Sequence, residues 1–152
     1  MPEIFSNYFL NRGLLCWFLA QMLKVIVTLC TDRKFLWERI VGAGGMPSSH
    51  SALVCGLATA VYIRFGFASY EFAVAVILAL IVMYDAMGVR RAAGEQAKTI
   101  NKLVNWYVFN QQEEDSPPEF DGRILKELLG HKPIEVLAGA LLGIAVVLIL
   151  PK

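Results

Sequence analysis

Four long apolar segments constrain this chain more than any other feature. Each approaches the roughly 20 apolar residues that a helix needs to cross a bilayer. They cover residues 14–30, 51–67, 72–89 and 134–150. Only 18% of the residues are charged, whereas soluble domains carry about 25%. We therefore predict an all-α fold: an integral membrane bundle of about four transmembrane helices that forms one domain over residues 1–152.

The connections between these segments differ in character. The short stretch GFASYE joins the second segment to the third and predicts a tight helical hairpin. The one long polar region, residues 90–133, follows the third segment. Its first part keeps charged residues at helical spacing, so we expect the third helix to extend beyond the membrane. The first segment lacks the basic start and cleavage site of a signal peptide, so we expect it to be retained.

Composition excludes some partners and cofactors. The net charge is +1, and no run of Lys or Arg favours binding to nucleic acid. The three cysteines are scattered among apolar residues without the spacing of metal ligands. We interpret them as packed thiols.

The even number of predicted spans places the two polar connections on the same side of the membrane. That face gathers His50, Asp85, Arg90, Arg91 and His131 from separate parts of the chain. Ten Lys or Arg residues lie in these connections, whereas the opposite side carries three, namely Arg12, Arg64 and Lys152. Positive charge marks the cytoplasmic side. The sequence therefore predicts a site facing the cytoplasm in a bacterial-type inner membrane.

The stretch GGMPSSHSAL places small polar residues and a histidine at the start of the second segment. Pro47 suits the first turn of a helix, and Ser48 or Ser49 can cap it. A helix N-terminus after a glycine pair favours an anion. We expect His50, one turn into the helix, to exchange protons with that anion. The alternative is an ordinary capped helix start with an interfacial histidine.

The stretch GHKPIEVLAGALLG opens the fourth segment. His131 and Glu135 are four residues apart and share a face if the helix begins near His131. The carboxylate can then hold one imidazole nitrogen and leave the other free as a nucleophile. The alternative is a surface pair at a helix start. We expect Gly139 and Gly143 to allow close helix packing.

Charged residues near the membrane complete the set of candidates. Arg90 and Arg91 offer planar donor groups that suit phosphate oxygens. Asp85 either pairs with a cation or, less favourably, binds a metal with Glu95, ten residues away. Lys24 either snorkels to the interface or points inward to an anion, and the inward orientation is favoured because ionisable residues inside spans are functional by default.

These motifs together resemble a known family. PSSH is similar to the Pro-Ser-Gly-His motif of the type 2 phosphatidic acid phosphatase (PAP2) and vanadium haloperoxidase superfamily. HKPIEVLAGALLG resembles the end of that superfamily's third motif. The whole chain resembles the small divergent PAP2 family, which shows GGMPSSHSA, Asp-Ala-x-Gly-Val-Arg-Arg and Gly-His-x-Pro-x-Glu-Val.

The resemblance implies a membrane phosphatase that hydrolyses a lipid phosphate or diphosphate without a metal or other cofactor. It implies His131 as the nucleophile that becomes phosphohistidine, Glu135 as its orienting group, and His50 as general acid and then base. We expect a further set of residues to bind the substrate, namely Ser48, Ser49, Lys24, Arg90, Arg91 and Asp85. The three cations in this set are our own inference and are not positions of the family's motifs.

The chain also departs from the superfamily. The first motif, Lys-x6-Arg-Pro, is absent, and Leu125 stands where the third motif has Ser-Arg. These losses support the alternative of a non-catalytic scaffold or lipid-phosphate-binding protein. Vanadate-dependent halide oxidation is disfavoured, because such enzymes are soluble. The usual six spans are reduced to four, which is compatible with a homodimer. Polyprenyl diphosphate, phosphatidic acid and phosphatidylglycerophosphate all fit as substrates.

Overall fold

Five helices account for nearly all of the described chain in the computed structural model. The structure describes residues 6–32, 45–110, 125 and 130–150, and these ranges contain no strand. The all-α prediction is confirmed. The helices are α1 (Tyr8–Asp32), α2 (Ser49–Phe65), α3 (Tyr70–Met87), α4 (Val89–Asn110) and α5 (Pro133–Ile149).

Helices lie at all four predicted apolar segments. Tyr8–Cys30 and Tyr70–Tyr107 are long and apolar enough to cross a membrane, by length and composition. Pro133–Ile149 is apolar but shorter, and α2 has the same length of 17 residues. The number of four spans is therefore approximate. Most of the predicted loop after α4 lies outside the described residues.

Helix α2 is central, because α1, α3 and α5 all pack against it. Small residues bring these helices close together. A Cβ at Gly143 of α5 would overlap the Ala52 carbonyl oxygen of α2. A Cβ at Gly56 would meet the Cys16 sulfur of α1 at 2.5 Å. Close approach of backbones through small residues is typical of helices packed in membranes.

The distribution of side chains is the reverse of that in a soluble domain. The buried cluster at the centre consists of Cys16, Ala20, Ala52, Ala60 and Val147. Large apolar side chains lie outside instead, and many on α1, α3 and α5 are more than half exposed. Water would disfavour such a surface, whereas lipid tails would solvate it. Packing therefore supports the prediction of a membrane bundle.

A short turn joins α2 to α3, as the hairpin prediction requires. Gly66 ends α2 with a φ of +80°, a conformation that side chains with a Cβ rarely adopt. Ser69 caps α3: its Oγ accepts from the Phe72 N–H at 3.2 Å and donates to the Gly66 carbonyl at 3.0 Å.

Helix α4 continues from α3 after a break at one residue. Gly88 has a φ of −98° and a ψ of −89°, outside helical values. The separate helix α4 then follows for 22 residues, so the chain stays helical past residue 89, where the third predicted apolar segment ends. One face of α4 is buried, and it is formed by Gly94, Ala97 and Asn101.

Candidate active site

The start of α2 is buried against the start of α5. Ser48 is the N-cap: its Oγ accepts from the Ser51 N–H at 3.4 Å and from the Ser51 hydroxyl at 3.0 Å. The Ser48 N–H donates to the Glu135 carbonyl at 2.9 Å. Pro47 precedes the cap, so its predicted place in the first turn is wrong. Ser48 and Ser49 are both buried.

Glycine makes this close contact possible. A Cβ at Gly139 of α5 would overlap the carbonyl oxygen of Ser48. The chain can therefore hold the N-terminus of α2 directly beside the first turn of α5. The prediction that Gly139 serves close packing matches this arrangement.

His131 and Glu135 are paired, with His131 just before the helix and Glu135 in its first turn. Helix α5 starts at Pro133, and Lys132 is its N-cap, so His131 lies before the helix. The helix thus begins within one residue of the predicted segment 134–150, and Pro133 suits the first helical position. The Glu135 carboxylate accepts from the Lys132 N–H at 3.1 Å and lies 3.0 Å from His131 Nδ1.

The second nitrogen of His131 has a different environment. The residue is only 2% exposed, and its Nε2 is buried without a hydrogen-bond partner in the described part of the protein. A buried polar atom without a partner is costly and is usually explained by function or by a bound group. With Nδ1 held by Glu135, the tautomer that protonates Nδ1 leaves the Nε2 lone pair free.

The backbone before His131 is fixed to the junction of α3 and α4. The His131 N–H donates to the Ala86 carbonyl at 2.9 Å. Gly130 has a φ of +82°, and a Cβ there would overlap the backbone of Arg90 and Arg91. Position 130 therefore requires glycine for both its conformation and its surroundings. Sequence reasoning missed this role, and the available signal was a glycine, Gly130, three residues before Pro133, a combination typical of a turn.

His50 lies beside His131. It is the second residue of α2 rather than one turn inside it, because the helix begins at Ser49. Its side chain is exposed. The two imidazole centroids are 6.5 Å apart, with 62° between the ring planes. One histidine is thus buried and the other open to the surface of the site.

The pKa of each histidine is lowered, and both residues lie outside the predicted spans. Desolvation lowers the pKa of His131, and the charges of Lys24 and Arg90 lower it further, against the opposing effect of Glu135. Desolvation also lowers the pKa of His50, followed by the charge of Arg90. Asp85 opposes that shift only weakly, being the last of its causes.

Lys24 points inward. It is 2% exposed, so the alternative of snorkelling to the interface is wrong. Its stem passes Gly45, where a Cβ would meet Lys24 Cγ and Cδ at 3.5 Å. Its charge acts on both histidines. A buried cation close to the two imidazoles is suited to hold an anion between them.

The two arginines have different places. Arg90 Nε lies 2.7 Å from Asp85 Oδ2 at the surface of the site, and its charge acts on both histidines. Arg91 contributes backbone to the Gly130 contact, while its side chain is exposed. The structure thus brings Arg90 to the histidines and gives Arg91 no comparable position.

The metal alternative finds no support in the geometry. Asp85 pairs with Arg90, whereas Glu95 pairs with Lys98 at 3.2 Å. Among the described residues, no group of three His, Cys, Asp or Glu side chains is arranged to hold a metal ion. The carboxylates of Asp85 and Glu95 are therefore paired with different basic side chains.

Asn101 is a further residue that sequence reasoning missed. Its amide nitrogen donates to the Leu125 carbonyl, and its amide oxygen accepts from the Leu125 N–H, both at 2.9 Å. This pair fixes α4 to the segment that leads towards His131. The available signal was spacing, because Asn101 follows Gly94 and Ala97 on one face of α4.

Comparison with known proteins agrees with the motifs. The sequence model described as the divergent PAP2 family matches residues 5–146. The chain is 45% identical to the uncharacterized membrane protein YuiD of Bacillus subtilis (strain 168), over 97% of this chain and 96% of that protein. No solved structure matches the chain significantly.

Proposed function

Since the chain belongs to the divergent PAP2 family, we propose that it is a membrane phosphatase that hydrolyses a lipid phosphate or diphosphate. One observation carries the proposal. His131 Nε2 is buried and unpartnered, its other nitrogen is held by Glu135, and a second histidine lies beside it. A nucleophile, its orienting group and a proton donor are thereby adjacent.

The reaction proceeds in two steps. His131 Nε2 attacks the phosphorus, and the bond to the lipid oxygen breaks while His50 gives that oxygen a proton. Water then attacks the phosphohistidine, and His50 takes a proton from this water. The phosphorus–nitrogen bond breaks and inorganic phosphate leaves. Glu135 keeps the imidazole of His131 oriented throughout.

Charge and helix geometry hold the phosphoryl oxygens. The first-turn N–H groups of α2, at Ser49 and His50, have no acceptor within their helix and favour an anion. Lys24 supplies a buried positive charge, and Arg90 supplies one at the mouth of the site. Asp85 positions Arg90. These groups stabilise the charge that develops on the transferred phosphoryl group.

Phosphate release from a panel of lipid phosphates and diphosphates tests the proposal. Purified protein in detergent or nanodiscs is expected to release inorganic phosphate from at least one of them. If every substrate fails while lipid phosphate still binds, the protein is a lipid-phosphate-binding scaffold instead. If neither release nor binding occurs, both functions are contradicted.

Replacing Lys24 by methionine is expected to lower kcat/KM about a hundredfold, the usual effect of losing one preorganised group that stabilises transition-state charge. Methionine fills a similar volume, so we expect the fold to persist. The matched control is Lys98→Met on α4, where the lysine side chain is 43% exposed and paired with Glu95. Equal kcat/KM values for the two variants would contradict a role for Lys24 at the phosphate.

The pH dependence of kcat/KM is expected to be bell-shaped, with its maximum on the acid side of the ordinary histidine pKa of about 6.5. His131 must lose its proton to act, so its lowered pKa moves the rising limb to lower pH. His50 must keep its proton, so its lowered pKa moves the falling limb the same way. A rate that climbs steadily into alkaline pH is incompatible with this mechanism.

The site is proposed to face the cytoplasm of a bacterial-type inner membrane. Single cysteines test this in a background where Cys16, Cys30 and Cys55 are replaced. An impermeant thiol reagent on intact cells is expected to label Ala68→Cys in the exposed α2–α3 turn and to spare Asn105→Cys on α4. The reverse pattern would place the site and its substrate outside.

A further inference from the structure

Helix α4 presents a third surface that neither the fold nor the proposed reaction uses. Its buried face packs on the protein through Gly94, Ala97 and Asn101. A second face is polar, with Glu95, Lys98, Lys102 and Asn105. The remaining face carries large exposed apolar side chains: Ile100 (46%), Leu103 (61%), Trp106 (64%) and Tyr107 (50%). We name these four residues the apolar face of α4.

Helices α3 and α4 together are too long to form one span perpendicular to the bilayer. Tyr70–Tyr107 comprises 38 residues, which corresponds to about 57 Å of helix at 1.5 Å per residue. The hydrocarbon core of a bilayer is about 30 Å thick. The end of α4 must therefore leave that core, and the break at Gly88 allows it to turn. A helix that stood in water would expose the whole apolar face to water.

The charges of α4 indicate which occupant covers the apolar face. Residues 89–107 contain four cations and a single carboxylate, namely Arg90, Arg91, Lys98, Lys102 and Glu95. Trp and Tyr residues favour the level of the lipid headgroups. Helices with one basic face and one apolar face that contains Trp lie in the plane of the interface. The chemistry of α4 therefore fits an anionic lipid surface.

We propose that α4 docks on the lipid headgroup region of the leaflet at which the site opens, with its apolar face inserted between the lipids. The first turn of α4 carries Arg90 at the mouth of the site. Docking therefore sets the depth of the site opening relative to the headgroups. This interaction does not depend on phosphatase activity.

Fluorescence of Trp106 tests the proposal in the full-length protein. The chain has three tryptophans, so Trp17 and Trp37 are replaced by phenylalanine. In nanodiscs that contain anionic lipid, we expect a nitroxide near the headgroup to quench Trp106 more than one near the end of the acyl chain. Aqueous iodide is expected to quench it weakly. Strong iodide quenching without nitroxide quenching would overturn the proposal. Protection of Trp106 from both quenchers would also overturn it, and would indicate that a second copy or another protein covers this face.

A pair of matched variants locates the contact on one face. Leu103→Glu places a charge on the apolar face and is expected to weaken nitroxide quenching and to strengthen iodide quenching. Asn105→Glu adds the same charge about 200° around the helix and is expected to leave both unchanged. Both positions are exposed, so neither change disturbs the core. Equal effects of the two variants would contradict insertion of this face.

Discussion

Replacing His131 by alanine is expected to lower phosphate release at least about a thousandfold, because the attacking nitrogen is removed. The fold is expected to persist, since Glu135 keeps its hydrogen bond from the Lys132 N–H. The buried Nε2 has no partner among the described residues, so no hydrogen bond at that atom is lost. The measurement is the single-turnover rate on a lipid phosphate that the wild-type protein hydrolyses.

His50→Ala provides the comparison. Loss of a general acid and base costs about 10²–10⁴-fold, so this variant is expected to retain more activity than His131→Ala. A substrate with a better leaving group is expected to recover part of the His50→Ala loss and none of the His131→Ala loss. Near wild-type release by pure His131→Ala protein with an unchanged melting temperature would remove His131 from the reaction.

Gly139→Ala is expected to produce a large loss of stability, although it adds only one methyl group. Helix propensity alone predicts a gain of about 1 kcal/mol for Gly→Ala. The added Cβ would overlap the Ser48 carbonyl oxygen, however. Backbone cannot rotate away as a side chain can, so the cost lies at or above the upper end of the roughly 1–3 kcal/mol typical of overpacking. A loss of stability in Gly139→Ala would therefore indicate the overlap, whereas a gain would indicate that helix propensity dominates.

Gly13→Ala is the matched control. A Cβ at Gly13 of α1 would meet its nearest neighbour at 3.6 Å, an ordinary contact. This variant is expected to be neutral or stabilising in thermal unfolding in detergent. Gly139→Ala is also expected to lower activity, because separating α2 from α5 moves His50 away from His131. A Gly139→Ala protein as stable and active as the control would show that the two helices are not packed this closely.

The architecture was predictable from the sequence because the length of an apolar segment is a strong signal for a membrane-spanning helix. Four apolar segments required helices, and the spacing of Gly139 and Gly143 required close packing on α5. The break at Gly88 was not predictable in the same way. A glycine within a helical pattern is often tolerated, and the sequence does not show that Gly130 packs on the backbone of Arg90 and Arg91, just after the break.

The candidate site was predictable as a set of residues, whereas its internal arrangement was not. Span counting places both histidines at one face, but their distance depends on how α2 and α5 pack. Arg90 and Arg91 have different positions because of the way α4 is rotated about its own axis. The sequence of two neighbouring residues does not predict that rotation. The inward orientation of Lys24 depends on the space beside Gly45. The roles assigned to these residues remain predictions.

Trapping the covalent intermediate tests the central claim most directly. Purified protein is mixed with a lipid phosphate labelled in its phosphoryl group, quenched in alkali to preserve phosphohistidine, digested and analysed by mass spectrometry. We predict that the label appears on His131 within one turnover, decays as phosphate is released, and is absent from His131→Ala. Release of phosphate with no label on His131, or with the label on another residue, would contradict the proposed mechanism.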